Sequence, residues 1–187
     1  MIYFLQCFFG LELIYLHRYD EAIEHLHRTL KTDPNFSSAQ LGLWGAFYQK
    51  RMFAEALAEA RTFFAILGDR QIADVLARGD SEPDYRDAMR RAAEKLSVRS
   101  QQSYVPALRT ARLYAHAGDK GQALDWLEKA CQEHEPPLIH LPVAWDWDNL
   151  RDEPRFQDLL RRLNVPHRAG GRSPGEVSIA PAPQSPP

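Results

Sequence analysis

An alanine followed by an aliphatic or methionine residue recurs four times along the 187-residue chain at nearly constant spacing. The four alanines are Ala22, Ala56, Ala88 and Ala123, and consecutive members lie 34, 32 and 35 residues apart. A period of this size is typical of folds built from stacked helical hairpins, in which each hairpin buries its apolar face against its neighbours. The spacing therefore predicts an all-α chain of about four hairpins.

The residues that follow each alanine at helical spacing are mostly apolar. Four and eight residues beyond the alanines stand Leu26 and Leu30, Ala60 and Phe64, Ala92 and Leu96, and Leu127 and Cys131. Such positions share one stripe of an α-helix, so each alanine marks the second helix of a hairpin. A methyl side chain lets the two helices of a hairpin approach closely, and Cys131 is predicted to be a small buried hydrophobe.

The first helix of each hairpin is predicted by counting back from the alanine. The apolar or small residues found there are Phe9, Gly10 and Leu13, then Leu43, Trp44 and Phe47, and then Thr110, Ala111 and Tyr114. The third repeat is degenerate, because Gly79 and Pro83 leave room only for a short first helix at about residues 71–78.

These patterns divide the chain into six segments. The repeats occupy residues 1–36, 37–69, 70–102 (the degenerate repeat) and 103–137, and they are followed by residues 138–166 and 167–187. Residues 138–166 are predicted to be an extended stretch and a C-terminal capping helix. That helix has Pro154 in its first turn and Asp152 or Glu153 as its cap. Residues 167–187 are a proline-rich stretch, predicted to be a disordered tail rather than a docking motif.

A capping box is predicted at the start of the second repeat. Asp33 and Pro34 end the first hairpin, because a residue before proline is disfavoured in the helical region. Ser37 then precedes Gln40 by three residues, which is the spacing at which the two side chains bond reciprocally to the first helical turn.

Composition excludes several classes of function. The formal net charge of −2 gives no electrostatic reason to expect nucleic acid or a membrane surface as a partner. Two widely separated cysteines, Cys7 and Cys131, indicate neither a disulfide framework nor a zinc site, and they fit a reducing compartment. The apolar stretch at residues 1–16 has no basic start and is too short to span a bilayer, so we expect a cytoplasmic protein.

No arrangement of residues in the sequence is typical of catalysis. His25 and His27 are two positions apart on a predicted helix and therefore point to different faces, and no HExxH motif occurs. A glycine-rich phosphate loop and a G-x-S-x-G elbow are also missing. We therefore predict a protein that is not an enzyme and that needs no metal or other cofactor.

The chain resembles the tetratricopeptide repeat family, and its second half is similar to the end of repeat arrays in multidomain bacterial regulatory proteins. The segments that carry the resemblance are YVP at 104–106, YAHAGDK at 114–120, ALDWLEKA at 123–130 and LRDEPRFQDLL at 150–160. The resemblance implies a right-handed superhelical solenoid of tetratricopeptide-type hairpins. It also implies a protein-binding scaffold that forms the regulatory or terminal part of a larger signalling protein.

Membership of this family implies a groove lined by the first helices, where a protein or peptide partner binds. The lysine and asparagine that clamp a terminal carboxylate in some members are missing from the groove positions Cys7, Leu11, Leu41, Gly45, Leu108 and Arg112. The candidate partner-binding residues are Tyr15, Tyr48, Gln49, Arg112 and His116. Side chains without a special role, exposed on a helix, are the competing interpretation.

Two other functions remain open from the sequence. The groove is also a candidate site for a small regulatory molecule. Alternatively, the chain is a C-terminal fragment of a kinase, a nucleotide cyclase or a winged-helix regulator whose catalytic or DNA-binding domain is missing.

The first predicted helix is apolar on all sides. Between residues 2 and 16 only Gln6 and Glu12 are strongly polar, and a helix of this kind is normally buried on more than one side. We therefore expect this edge to pack against preceding repeats or against a second copy of the chain. A helix that folds under the first hairpin of a monomer is the alternative.

The repeat assignment predicts a far-ultraviolet circular dichroism spectrum dominated by α-helix. Helix is expected because the apolar stripe recurs at a helical spacing after each of the four alanines. A spectrum dominated by strand would contradict the assignment.

Overall fold

The computed structural model describes residues 2–76 and 79–163, with the side chains of residues 2–4 left aside. All regular structure within these residues is helical, which confirms the predicted all-α class. The α-helices are α1 (Ile2–Tyr15), α2 (Tyr19–Thr32), α3 (Ser37–Gln49), α4 (Phe53–Ile66), α5 (Arg70–Val75), α6 (Glu82–Arg99), α7 (Ala107–Ala117), α8 (Lys120–Gln132) and α9 (Pro154–Arg162). Two 3₁₀ helices, Pro136–His140 and Trp145–Leu150, lie between α8 and α9.

Consecutive helices pack against each other in pairs. Helix α1 packs on α2, α3 on α4 and α7 on α8, and further contacts between α2 and α3 and between α6 and α7 join neighbouring pairs. One or two residues after α1, α3 and α7 the backbone enters the left-handed region, with φ of 58° at His17, 60° at Arg51 and 80° at Gly118. A left-handed residue at this position ends a helix and reverses the chain.

The turn inside the first, second and fourth pairs has the same hydrogen bonds. In each turn, one backbone carbonyl near the end of the helix accepts a hydrogen bond from the amide five residues later. The carbonyl of the next residue accepts from the amide three residues later. The bonds are Arg18 N–H to Leu13 O with His17 N–H to Ile14 O, Met52 N–H to Phe47 O with Arg51 N–H to Tyr48 O, and Asp119 N–H to Tyr114 O with Gly118 N–H to Ala115 O. The same two bonds also end α4 and α8, so this turn is a common helix end in the part of the chain that the structure describes.

The four repeated alanines lie in the core. Ala22, Ala56, Ala88 and Ala123 are all buried, as the repeat pattern predicts. Most residues four and eight positions further along are buried beside them, but Leu30 and Cys131 are only half-buried. Cys131 packs against the core without being buried, so the prediction of a small buried hydrophobe is only partly correct.

The third pair departs from the others as the sequence predicts. Its first helix, α5, has only six residues and ends at Val75, before the end expected near residue 78. Helix α6 then begins at Glu82 with Pro83 in its first turn, where the missing proline N–H needs no partner. The Ser81 hydroxyl accepts a hydrogen bond from the Asp84 amide and caps this helix.

The predicted cap of α3 is wrong, and the predicted cap of α9 has the expected position at Glu153 but makes no capping hydrogen bond. Ser37 is the first residue of α3 rather than its cap, and no side chain caps that helix. Gln40 instead turns across the pair and donates its amide to the Glu59 carboxylate, which is why it is buried. Glu153 precedes α9 without bonding to its amides and forms an ion pair with Lys120.

The stretch before α9 is also different from the prediction. Residues 136–150, the crossing segment, form two 3₁₀ helices instead of an extended chain, and the second contacts both α7 and α3. Helix α9 then packs on α8 through Phe156, Leu159 and Leu160, all buried, and so has the predicted apolar face. The predicted tail at residues 167–187 lies outside the described residues.

A search of the described residues finds no helix with the length and apolar character needed to cross a membrane.

Replacing Ala56 with leucine should lower the free energy of unfolding by about 1–3 kcal/mol, because a larger side chain must fit where two helices meet closely. The matched control is Ala65→Leu on the same helix, at an exposed position, where a change within about 0.5 kcal/mol is expected. Urea denaturation followed by circular dichroism measures both. Equal effects at the two positions would contradict the packing role of the repeated alanine.

Candidate functional site

The crossing segment lies against the side of α1, α3 and α7 that carries Tyr15, Gly45, Tyr48, Arg112 and His116, which we call the first-helix surface. The Trp145 indole meets the Tyr15 ring with centroids 5.4 Å apart. Its neighbour Asp146 lies fully inside, beside α7. The first-helix surface is therefore occupied by an irregular stretch of the same chain.

Gly45 makes room for the Trp145 indole. A Cβ atom at residue 45 would lie 2.8 Å from Cζ2 of Trp145, with Nε1 and Cε2 closer still. Separations this short do not occur between a Cβ and a rigid ring, so any side chain on residue 45 would push the indole away. Glycine is thus required here by close approach, in spite of its cost inside a helix.

The Asp146 carboxylate is buried, and it contacts two side chains of α7, Arg112 and His116. Its Oδ1 lies 2.9 Å from His116 Nε2 and 3.0 Å from Arg112 Nε. The Arg112 N–H is poorly aligned for a hydrogen bond, so this contact is an ion pair. Burial alone raises the pKa of a carboxyl, but Arg112 and His116 outweigh it and hold the pKa of Asp146 below its usual range.

A chain of hydrogen bonds continues from His116 into the core. Trp44 Nε1 donates to the Tyr85 hydroxyl at 2.7 Å, and that hydroxyl lies 2.6 Å from His116 Nδ1. Because Nε2 faces a carboxylate, we assign the ring hydrogen to Nε2, which leaves Nδ1 to accept from Tyr85. With this tautomer, each of the four side chains has a partner.

Aromatic rings surround this chain and keep water away from it. The Tyr48 ring lies 4.4 Å from the His116 ring and stacks on Tyr85 at 5.5 Å, and Trp44 covers the other side of His116 at 5.0 Å. Burial raises the pKa of Tyr85 well above its ordinary value. Tyr85 is therefore held as a hydrogen-bonding phenol.

Polar contacts at the rim fix the rest of the crossing segment. Gln49 donates to the Asp148 carboxylate at 3.0 Å, and the Asn149 amide donates to the Ala115 carbonyl at 2.8 Å. Arg151 turns back and donates to the Pro142 and Ala144 carbonyls at 2.6 and 3.1 Å. The segment is therefore held by bonds to its backbone as well as by its buried side chains.

The five residues predicted from the sequence as partner contacts all border the crossing segment. Tyr15 contacts Trp145, Gln49 bonds to Asp148, Arg112 and His116 contact Asp146, and Tyr48 packs on His116. The expectation that they are exposed is wrong for His116, which is 2% exposed, while Tyr15, Tyr48, Gln49 and Arg112 are half-buried. Their role in binding a partner remains a prediction.

The other half of the cluster does not stand out in the sequence. Trp44 belongs to the repeat pattern, Tyr85 has no predicted role, and Trp145 and Asp146 lie in the stretch predicted to be extended. The run WDWD at 145–148 could have indicated that the two tryptophans are buried, but an alternation of tryptophan and acid would place Asp146 in solvent, so the sequence has no signal for its burial.

Chemically, the cluster is suited to holding a segment in place. Cys7, a predicted groove residue, is buried, and burial raises the pKa of its thiol to about 11, so it is a poor nucleophile. Within the described ranges, the His, Cys, Asp and Glu side chains form no group of three that could hold a metal ion. The polar contacts that the described residues make around the crossing segment are hydrogen bonds and ion pairs.

Comparison with known proteins adds no relative: no protein-family model, curated protein or solved structure matches the chain.

Replacing Gly45 with alanine should destabilise the protein by about 1–3 kcal/mol, although alanine is the better helix former, because the new methyl group collides with the Trp145 indole. The matched control is Gly121→Ala on α8, where a Cβ would have only Asp119 Oδ1 nearby, at 3.8 Å. This control should be neutral or stabilise by up to about 1 kcal/mol. Urea denaturation measures both, and a stabilising Gly45→Ala would contradict the contact.

Replacing Asp146 with asparagine should lower the free energy of unfolding at neutral pH by about 3 kcal/mol, because Arg112 then loses its buried counter-charge. The folded-state pKa of Asp146 lies below the unfolded value of about 3.9. The ionised Asp146 carboxylate therefore contributes its full stabilisation of the fold above the unfolded-state pKa. This contribution is lost as the pH falls through the folded-state pKa.

Urea denaturation at a series of pH values tests this effect. The variant should show a weaker loss of stability in acid than the unmodified protein. The control is Asp158→Asn, which removes an exposed carboxylate paired with Arg161. This variant should lose as much free energy of unfolding between neutral and acidic pH as the unmodified protein does. If the unmodified protein and Asp146→Asn lose the same free energy of unfolding between neutral and acidic pH, Asp146 does not have the lowered pKa assigned to it.

Proposed function

We propose that this protein is an interaction module of tetratricopeptide type, whose first-helix surface binds a protein partner. Three observations support the proposal: the constant spacing of the buried alanines, the identical turns inside three helix pairs, and the sequence resemblance described above. In this proposal the module is the regulatory or terminal part of a larger bacterial signalling protein.

The observation that carries the proposal is the crossing segment itself. The first-helix surface already holds an irregular peptide stretch through one tryptophan, one buried carboxylate and rim hydrogen bonds. Recognition of an irregular segment by aromatic rings and an arginine is also how protein interfaces bind their anchoring residues. The surface thus has the chemistry of a peptide-binding site.

The partner is proposed to dock where the first-helix surface and the crossing segment remain accessible. Tyr15, Tyr48, Gln49 and Arg112 keep part of their side chains in solvent, and Val143 of the crossing segment is 52% exposed. His116 has a supporting role instead, because it is buried and holds Asp146.

The test uses a partner captured with the full chain and then purified, with its dissociation constant measured by calorimetry. Gln49→Ala and Tyr15→Ala should each weaken binding by about tenfold, which corresponds to about 1.4 kcal/mol. Both residues are half-buried, so the variants are compared at a temperature where circular dichroism shows them folded.

Glu94→Ala and Lys95→Ala on α6 are the controls, because both side chains are exposed and away from the crossing segment. They should change the dissociation constant by less than about twofold. A partner whose affinity responds to the α6 changes, and not to Gln49→Ala or Tyr15→Ala, would contradict the proposed surface.

A further inference from the structure

Arg109 on α7 is a half-buried cation without a counter-ion. The half-buried lysines and arginines of the described residues are Lys50, Arg99, Arg109, Arg112, Lys129 and Arg151. All of these except Arg109 form an ion pair, and their carboxylate partners are respectively Asp20, Asp69, Asp146, Glu133 and Asp148. Within the ranges that the structure describes, the Arg109 guanidinium makes neither an ion pair nor a hydrogen bond. A charge that is partly removed from water without a partner costs free energy, so Arg109 does not serve the fold through its charge.

The acids near Arg109 are used by other groups. Asp69 and Glu135 both attract the Arg109 cation. Asp69, however, accepts hydrogen bonds on both carboxylate oxygens from the Arg99 guanidinium. Glu135 accepts from the first two amides of α7. Neither carboxylate is therefore free to pair with Arg109.

Arg112 lies one turn further along the same helix. Residues three positions apart on a helix are neighbours, with Cβ atoms about 5–6 Å apart. Arg112 contacts Asp146 through Nε, and 15% of its side chain is exposed. Burial lowers the pKa of Arg109, and the cations of Arg112 and Arg99 lower it further, while the two nearby acids offset this only in part. The missing partner of Arg109 is therefore an anion.

A carboxylate of a partner protein is the anion that fits this place. The planar guanidinium group matches a carboxylate and bonds to it through two parallel N–H groups. Apolar side chains lie near the start of α7 as well: Tyr104, three residues before the helix, is 76% exposed, and Ile139, four residues after Glu135, is 67% exposed. Arginine and aromatic side chains are enriched in protein interfaces. The formal net charge of −2 disfavours nucleic acid as the source of the anion.

We propose that Arg109 and Arg112 form a subsite for a glutamate or aspartate side chain in an acidic segment of the partner protein. The subsite extends the first-helix surface by one turn of α7. This inference rests on the proposed partner-binding role of that surface, and it adds the chemical character of the partner: an acidic segment whose carboxylate replaces the missing counter-ion of Arg109.

The melting temperature of Arg109→Gln tests whether the charge is uncompensated. The substitution removes a half-buried cation that has no counter-ion, so the variant should melt at the same temperature as the unmodified protein or above it. Circular dichroism measures the transition. A fall of more than about 4 °C would show that the Arg109 charge already has a stabilising partner, and it would overturn the proposal.

Fluorescence anisotropy tests the subsite directly, with fluorescein-labelled and C-terminally amidated hexaglutamate as the probe at low ionic strength. The probe should bind saturably, and Arg109→Gln should raise its dissociation constant by more than about fivefold. Arg109→Lys should weaken binding less, because it keeps the charge and loses only the fork of N–H groups. The matched control is Arg61→Gln, which removes an exposed arginine of α4 and should change the dissociation constant by less than about twofold.

Two further probes separate carboxylate recognition from general attraction. Hexaglutamine with the same label should not bind, and labelled hexathymidylate should bind more weakly than hexaglutamate. The proposal would be overturned by an absence of saturable hexaglutamate binding, by equal losses in the Arg109 and Arg61 variants, or by tighter binding of the oligonucleotide. A captured partner that responds to Tyr15→Ala and Gln49→Ala but not to Arg109→Gln would overturn the subsite and leave the proposed function standing.

Discussion

The buried carboxylate of Asp146 is the interaction on which the arrangement of the helix pairs depends. A charge without water must be paired, and here the partners are Arg112 and His116 of α7. Once His116 is used in this way, its second nitrogen also needs a partner, which Tyr85 of α6 supplies, and the tyrosine hydroxyl in turn accepts from Trp44 of α3. One carboxylate thus fixes three helices and the crossing segment relative to one another, because displacing any of them leaves a buried polar group unpaired.

Close packing around small residues makes this polar chain possible. Gly45 admits the Trp145 indole, and the indole in turn positions Asp146, its neighbour in sequence, against α7. The buried alanines act in the same way between the helices of each pair. The small residues therefore set the distances, and the hydrogen bonds then select one register among those that the distances allow.

The parts of the fold that follow from local patterns could be predicted, and those that depend on distant residues could not. The helix that follows each alanine, the short α5 and the Pro154 helix start all rest on residues within two or three turns. Gln40 had the spacing of a capping box, but its side chain bonds to Glu59 on the next helix, so a tertiary contact replaced the local one. Asp146 could not be identified because its partners are 30 or more residues away in sequence. The 3₁₀ helices, which need only short-range bonds, lie in a stretch whose prolines, Pro136, Pro137 and Pro142, indicate an extended chain.

The two ends of the series of helix pairs differ in a way that limits how copies can associate. At the C-terminal end, α9 turns Phe156, Leu159 and Leu160 inward and leaves Arg155, Asp158, Arg161 and Arg162 exposed. At the other end, α1 exposes leucine and phenylalanine. A contact between unlike ends would repeat from copy to copy and build a filament, but a charged end and an apolar end do not complement each other.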